Sequence, residues 1–186
     1  MHTFRPFSPD LNNPLPNAVL VADNDAWRGR TNGDGETVAT TGRPDLRSGG
    51  AIRRDGSAQL EVGNHGEVDP DGRKLSDGGH HQGNETGGPG EAANQSSQQR
   101  DQNQGNERPA FVTAETWHRM ERDRARFLKS GGTVEMIDTF ALRDPLQRHP
   151  HTYQTRWRVT LADGTTGIYV RSYPNEHNAA LWPADF

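Results

Sequence analysis

Between residues 29 and 109 the chain carries no Phe, Trp or Tyr, and its large aliphatic side chains there are Val38, Leu46, Ile52, Leu60, Val62, Val68 and Leu75. From Ser76 to Pro109 there are none. Fixing one residue's backbone costs roughly 1–2 kcal/mol of conformational entropy, and the hydrophobic effect offsets this only where apolar surface can be buried. So little apolar surface predicts a long disordered linker over 29–109, rich in Gly, Asn, Asp and Gln. The mean hydropathy of -1.01 and the 21 Gly and 12 Pro residues fit that expectation.

Apolar side chains collect at the two ends instead. Residues 1–28 carry Phe4, Phe7, Leu11, Leu15, the run Val19, Leu20, Val21, and Trp27 among polar residues. Pro6, Pro9, Pro14 and Pro16 bias their predecessors toward extended geometry, which argues against a helix before Asn17. Phe4, Phe7 and Trp27 mark this arm as a docking peptide, or as a strand-like arm lying on the chain's own folded part.

Within the linker, Asp-Gly pairs recur at irregular spacing. The pair Asp55-Gly56 lies inside residues 51–62 as the natural turn of a local hairpin. Asp23, Asn24 and Asp25 fail the calcium-loop pattern, because Trp27 holds the fifth position and no bidentate Glu follows at the right distance. His80 and His81 are adjacent in a Gly-rich tract with no third ligand at defined spacing, so they read as a solvated pair and no metal or other cofactor is predicted.

Beyond Pro109 the pattern changes. Trp117, Met120, Phe127 and Leu128 recur at helical spacing, with Thr113 as the predicted N-cap of a helix over 114–129 and Gly131 and Gly132 ending it. Arg124 falls inside the apolar stripe, and Glu121 is assigned to a solvated outer face. Residues 133–142 read as a strand, and 153–161 with 166–173 as a hairpin turning at Asp163-Gly164. The predicted fold class is therefore α+β: one helix on an antiparallel sheet of three to four strands at residues 110–186, preceded by the disordered segment. Trp182 is expected to close one end of this small core.

A two-residue turn would set Arg156 opposite Arg171 and Arg158 beside Tyr169, with Tyr173 nearby on one face. Opposed like charges call for an anion. That anion is either internal, from Glu135 or Asp138, or an external phosphate or carboxylate, which makes Arg156, Arg158, Tyr169, Arg171 and Tyr173 the candidate binding face. His149, His151 and His177 lie in loops beside it, and with Arg156 and Arg171 they form the candidate catalytic set of a metal-independent ribonuclease.

The formal net charge is -4, split as 11 basic and 16 acidic side chains before residue 110 and 10 and 9 after it. That distribution gives no general basic stripe for nucleic acid, so any nucleic-acid contact would be local. No apolar run is long enough to span a membrane, and a cytoplasmic protein is expected, leaderless secretion being invisible to such a test. The leading expectation is a non-enzymatic interaction protein that docks a macromolecular partner, most simply another protein, at two ends joined by a tether. It would suit a phage or mobile-element accessory role. The alternatives are the ribonuclease and an assembly protein that orders on oligomerisation. A small helix-plus-sheet domain behind a flexible segment is broadly similar in architecture to the C-terminal toxin domains of bacterial polymorphic toxins and to RelE-like ribonucleases. That resemblance implies toxin-like RNA cleavage.

Overall fold

A computed structural model describes residues 7–23, 25–46, 54–105, 116–144 and 147–175. Its centre is a six-stranded antiparallel sheet in the order β1-β2-β3-β6-β7-β8, with a separate two-stranded ribbon of β4 and β5. The strands are β1 (Val19–Ala22), β2 (Trp27–Thr31), β3 (Thr37–Gly42), β4 (Ser76–His80), β5 (Gln95–Gln99), β6 (Thr133–Leu142), β7 (Thr152–Thr160) and β8 (Thr166–Pro174). Four α-helices accompany them among the described residues: α1 (Pro9–Asn12), α2 (Gly56–Gly63), α3 (Arg100–Gln104) and α4 (Trp117–Lys129).

This corrects the expected fold class. The sheet is not confined to the C-terminus behind a disordered segment: β3 pairs with β6, so residues 19–42 and 133–174 build one sheet across most of the chain. Strand β2 is readable once that is known. Trp27, Gly29 and Thr31 are buried while Arg28 and Arg30 are exposed, the alternation of a half-buried strand. Trp27 is fully buried and packs with Leu11, Ala22 and Ala93. Of the other docking candidates, Phe7 is half-buried and Phe4 lies outside the described residues.

The middle of the chain folds through polar contacts. Every residue of β5 is buried, although its sequence is Gln-Ser-Ser-Gln-Gln. The ribbon lies on the inner face of the large sheet: the Tyr153 hydroxyl donates to Ser97 O at 2.8 Å, Thr37 Oγ1 donates to Ala93 O at 2.6 Å, and the His81 ring meets Tyr153 edge-on at 5.9 Å. Asn94, with no exposed surface, satisfies four groups at once. Its Nδ2 donates to Gln82 O and Pro89 O, both at 2.8 Å, and its Oδ1 accepts from Trp27 Nε1 at 3.0 Å and Gln82 N at 3.1 Å. Asn175 satisfies three groups at the far end, donating to Ser97 O and Pro150 O while accepting from Gln99 N. Buried amides with partners avoid the cost of an orphaned polar group. Small residues supply the close approach: a Cβ on Gly63 would sit 2.9 Å from Gly78 N, so α2 rests backbone against backbone on β4.

Local chemistry decides one element that the sequence leaves open and overturns one expectation. Asp55 and Gly56 do not turn a hairpin; Asp55 N-caps α2, its Oδ1 accepting from Ser57 N at 3.1 Å and Ala58 N at 3.2 Å. Pro9 opens α1 at its first turn, where proline's missing N–H costs nothing, so the proline-rich arm does contain a short helix.

Helix α4 begins at Trp117 behind the cap Thr116, whose Oγ1 accepts from Arg119 N at 3.2 Å, not at Thr113, which lies outside the described residues along with Phe111, Val112 and Trp182. It ends at Ser130, before Gly131 at φ 84°, and packs Trp117 and Met120 on Val134, Trp157, Val159 and Tyr173. The β7–β8 turn holds one more residue than a two-residue loop. Gly164 N donates to Leu161 O at 2.9 Å, Gly164 takes φ 87°, and Leu161 N donates to Thr165 O at 2.8 Å. This turn and its bulge shift the register by one, pairing Arg156 with Val170, Arg158 with Ile168 and Trp157 with Tyr169. Each β8 side chain then lies on the face opposite to the one expected. No helix among the described residues is long and apolar enough to cross a membrane.

Candidate functional site

Three elements of the middle segment and one of the C-terminal segment enclose a cleft of about 600 Å³. Helix α2 contributes Gln59 and Leu60; strand β4 contributes Asp77, Gly78 and His80; α3 contributes Arg100, Asn103 and Gln104; α4 contributes His118 and Glu121; Arg54 and Lys74 stand at its rim. The positions are built in. The Asp55 cap, held also by Asn12 Nδ2 at 2.8 Å, fixes the residue after Arg54. Trp117 Nε1 donates to His80 O at 3.0 Å, and Trp117 N donates to Gln102 Oε1 at 3.1 Å, which locks α4 to the strand end and to α3. Asp77 accepts from Gln104 Nε2 at 2.5 Å and pairs with Arg100 at 3.4 Å.

The site's chemistry is concentrated in two side chains. His80 is 6% exposed, and its Nε2 is buried with no hydrogen-bond partner among the described residues. Burial, with the positive charge of Arg54, pushes its pKa down to about 3, so the imidazole is neutral. Glu121 moves the other way: burial lifts its carboxyl to about 7, against the fields of Arg124 and Arg54 and helped by Glu85. A Cβ on Gly83 would lie 2.9 Å from Glu121 Oε1, so the loop after β4 needs glycine there to admit the carboxylate. His118 is held low by burial and by Arg122. A neutral base, a carboxyl that titrates near neutrality and a cationic rim form an arrangement suited to acid–base chemistry on an anion.

These shifts make stability depend on pH with two signs. His80 and the neighbouring His81, also pushed down to about 3 by burial, favour the fold fully above 6.5 and lose that contribution as pH falls toward 3. Glu121 binds its proton more tightly folded than unfolded, so its contribution is complete below 4.5 and is lost as pH rises through about 7. Glu121→Gln is therefore expected to melt at a higher temperature than the wild type above pH 7 and at the same temperature below 4.5, as read by calorimetry across that window. Equal melting temperatures throughout would remove the assignment.

None of the residues expected from sequence to bind, dock or catalyse lines this cleft. Arg156 and Arg158 are exposed on the outer face of the sheet, where Arg156 Nε donates to Asp138 at 3.0 Å and Arg158 Nη1 to Glu135 at 2.7 Å. Arg171 is on the inner face, its guanidinium 5.9 Å from the Tyr169 ring centroid and Nη1 donating to Val170 O at 2.9 Å. Tyr169 stacks on Trp157 at 4.4 Å, and Tyr173 is buried edge-on against Trp117. The five are not one face. His149 lies 3.9 Å from Glu67, and His151 Nδ1 is 3.0 Å from Thr152 Oγ1, while His177 is outside the described residues. His80, by contrast, is buried although its Gly-rich polar surroundings predict a solvated position. The signal for Glu121 is its place four residues after Trp117 and three before Arg124, at the margin of the apolar stripe.

Among the described residues no three His, Cys, Asp or Glu side chains are grouped to hold a metal ion. No family model matches the chain, and no curated protein matches its sequence.

Proposed function

We propose that the protein hydrolyses phosphodiesters, with nucleic acid as the substrate of the cleft beside His80. The observation that carries this reading is the neutral imidazole with a buried, unpartnered Nε2, set in a cleft with Arg54, Lys74 and Arg100 around it. Guanidinium and ammonium groups hold phosphate oxygens. Burial is the main influence depressing His80 and the Arg54 charge the lesser one; a phosphate seated there offsets the second, which raises the basicity of the imidazole when substrate arrives. Water attacks phosphorus; His80 takes its proton; the bond to the leaving oxygen breaks, and that oxygen is protonated from the imidazolium or from solvent. Ionised Glu121 accepts a hydrogen bond from the attacking water and orients it. Because both groups act deprotonated, the rate rises with pH, with a limb near 7 from Glu121. The cytoplasm is the proposed place of action, on the polar composition alone.

The test is incubation of the full chain with end-labelled RNA, single-stranded DNA and duplex DNA, in magnesium and in EDTA. Cleavage of at least one substrate, rising with pH, supports the reading. No cleavage of any of them in either buffer overturns it. The interaction-protein reading loses its tether, since residues 54–105 are folded. It keeps one support, the exposed Ile168 and Val170 on β8.

A further inference from the structure

Arg124 has no evident structural reason to be charged. It is 2% exposed, its guanidinium lies 5.2 Å from the Trp157 ring centroid and 6.0 Å from that of Trp117, and Nη2 donates to Thr155 Oγ1 at 2.9 Å. Its Nε has no hydrogen-bond partner, and no carboxylate lies within ion-pairing distance of it among the described residues. Taking an unpaired guanidinium out of water is costly, and an apolar side chain of similar volume is generally tolerated as well or better at such places. Two indoles and one hydroxyl do not compensate for the lost hydration.

The position of this charge relative to the cleft supplies a reason. Arg124 follows Glu121 by three residues on α4, so the two side chains are neighbours on the same helix face, one turn apart. We propose that Arg124 is a positioning residue: a permanent buried cation beneath the cleft whose field governs the charge carried by Glu121. This rests on Glu121 belonging to the reacting site. The other charged and titratable groups facing Glu121 are Arg54 from the segment before α2, Glu85 from the turn after β4, His80 across the cleft, and His118 one turn earlier on α4 itself; Tyr173 of β8 faces Arg124. Arg54 is exposed and therefore screened by salt and by bound substrate, and Glu85 is already paired with Lys129 at 3.0 Å. Arg124 is sealed from solvent and keeps its effect in all those conditions. Arg124 is also the strongest of the influences opposing the burial of Glu121.

The experiment is carboxyl carbon NMR of the full chain labelled at glutamate, with the Glu121 signal assigned by its absence from Glu121→Gln. In Arg124→Met the midpoint of the Glu121 titration is expected to rise by about one unit or more. The low-pH limb of the cleavage profile should rise with it, while KM for the substrate changes little. Should the methionine variant not fold, Arg124→citrulline keeps the shape and the bond to Thr155 and removes only the charge, and the same rise is expected. A folded neutral variant with an unchanged Glu121 midpoint overturns the proposal. A raised midpoint in a protein that cleaves nothing leaves Arg124 in its role and removes the phosphodiesterase reading, so the two fail separately.

Discussion

Replacing His80 by glutamine is expected to reduce phosphodiester cleavage about 10²- to 10⁴-fold, the usual contribution of a positioned general base. Glutamine keeps hydrogen-bonding capacity and approximate length, and the bond from Trp117 Nε1 reaches the backbone oxygen of His80, so the strand end stays anchored. The loss should fall on kcat with KM little changed, because the cationic rim that holds the phosphate is untouched. His149→Gln and His151→Gln serve as controls, since neither residue borders the cleft, and each should retain wild-type rates. A His80→Gln protein that cleaves within a factor of about three of wild type, well short of the general-base range, would put the chemistry elsewhere.

Asn94→Leu is expected to remove more than about 4 kcal/mol of stability, because four buried groups lose their partners together and each orphan costs roughly 1–3 kcal/mol. The groups are Trp27 Nε1, Gln82 N, Gln82 O and Pro89 O, which join β2 of the large sheet to both strands' connections in the ribbon. Leucine is of similar size and more apolar, so a composition-based expectation has the opposite sign. Urea unfolding followed by Trp fluorescence measures the difference. If the variant is too unstable to purify, Thr37→Val removes the single bond to Ala93 O and should cost about 1 kcal/mol. Midpoints at or above wild type in these variants would show that the polar layer does not hold the fold.

What was legible in the sequence was what apolar periodicity announces. Helix α4, strand β6 and the β7–β8 hairpin come from Trp117, Met120, Phe127, Val134, Trp157 and Val159, and they lie where that spacing places them. The ribbon was not legible, for a definite physical reason. Counting apolar surface treats Gln95, Gln98, Asn94 and His81 as residues that must stay in water. In the fold Gln95 and Asn94 donate to backbone carbonyls and the His81 ring meets Ser96 Oγ, while Gly63 and Gly78 let the chain close up around them. The register of β8 failed on a smaller point: Asp163-Gly164 suits a two-residue turn and equally the type I turn with a bulge that forms, and the choice decides which face receives Tyr169 and Arg171. The site followed the same division. His80 and Glu121 owe their character to burial, which polar composition argued against.

A core assembled from amides, hydroxyls and glycine backbone also has a calorimetric identity. Exposing apolar surface on unfolding raises the heat capacity, by about 0.45 cal/K/mol/Å², whereas exposing polar surface lowers it by about 0.26. The ribbon of Ser76–His80 and Gln95–Gln99 thus subtracts from the increment that the Trp117 and Trp157 cluster adds. The protein's free-energy curve against temperature is correspondingly shallow, so that cooling weakens it less than a hydrocarbon-cored domain of equal length.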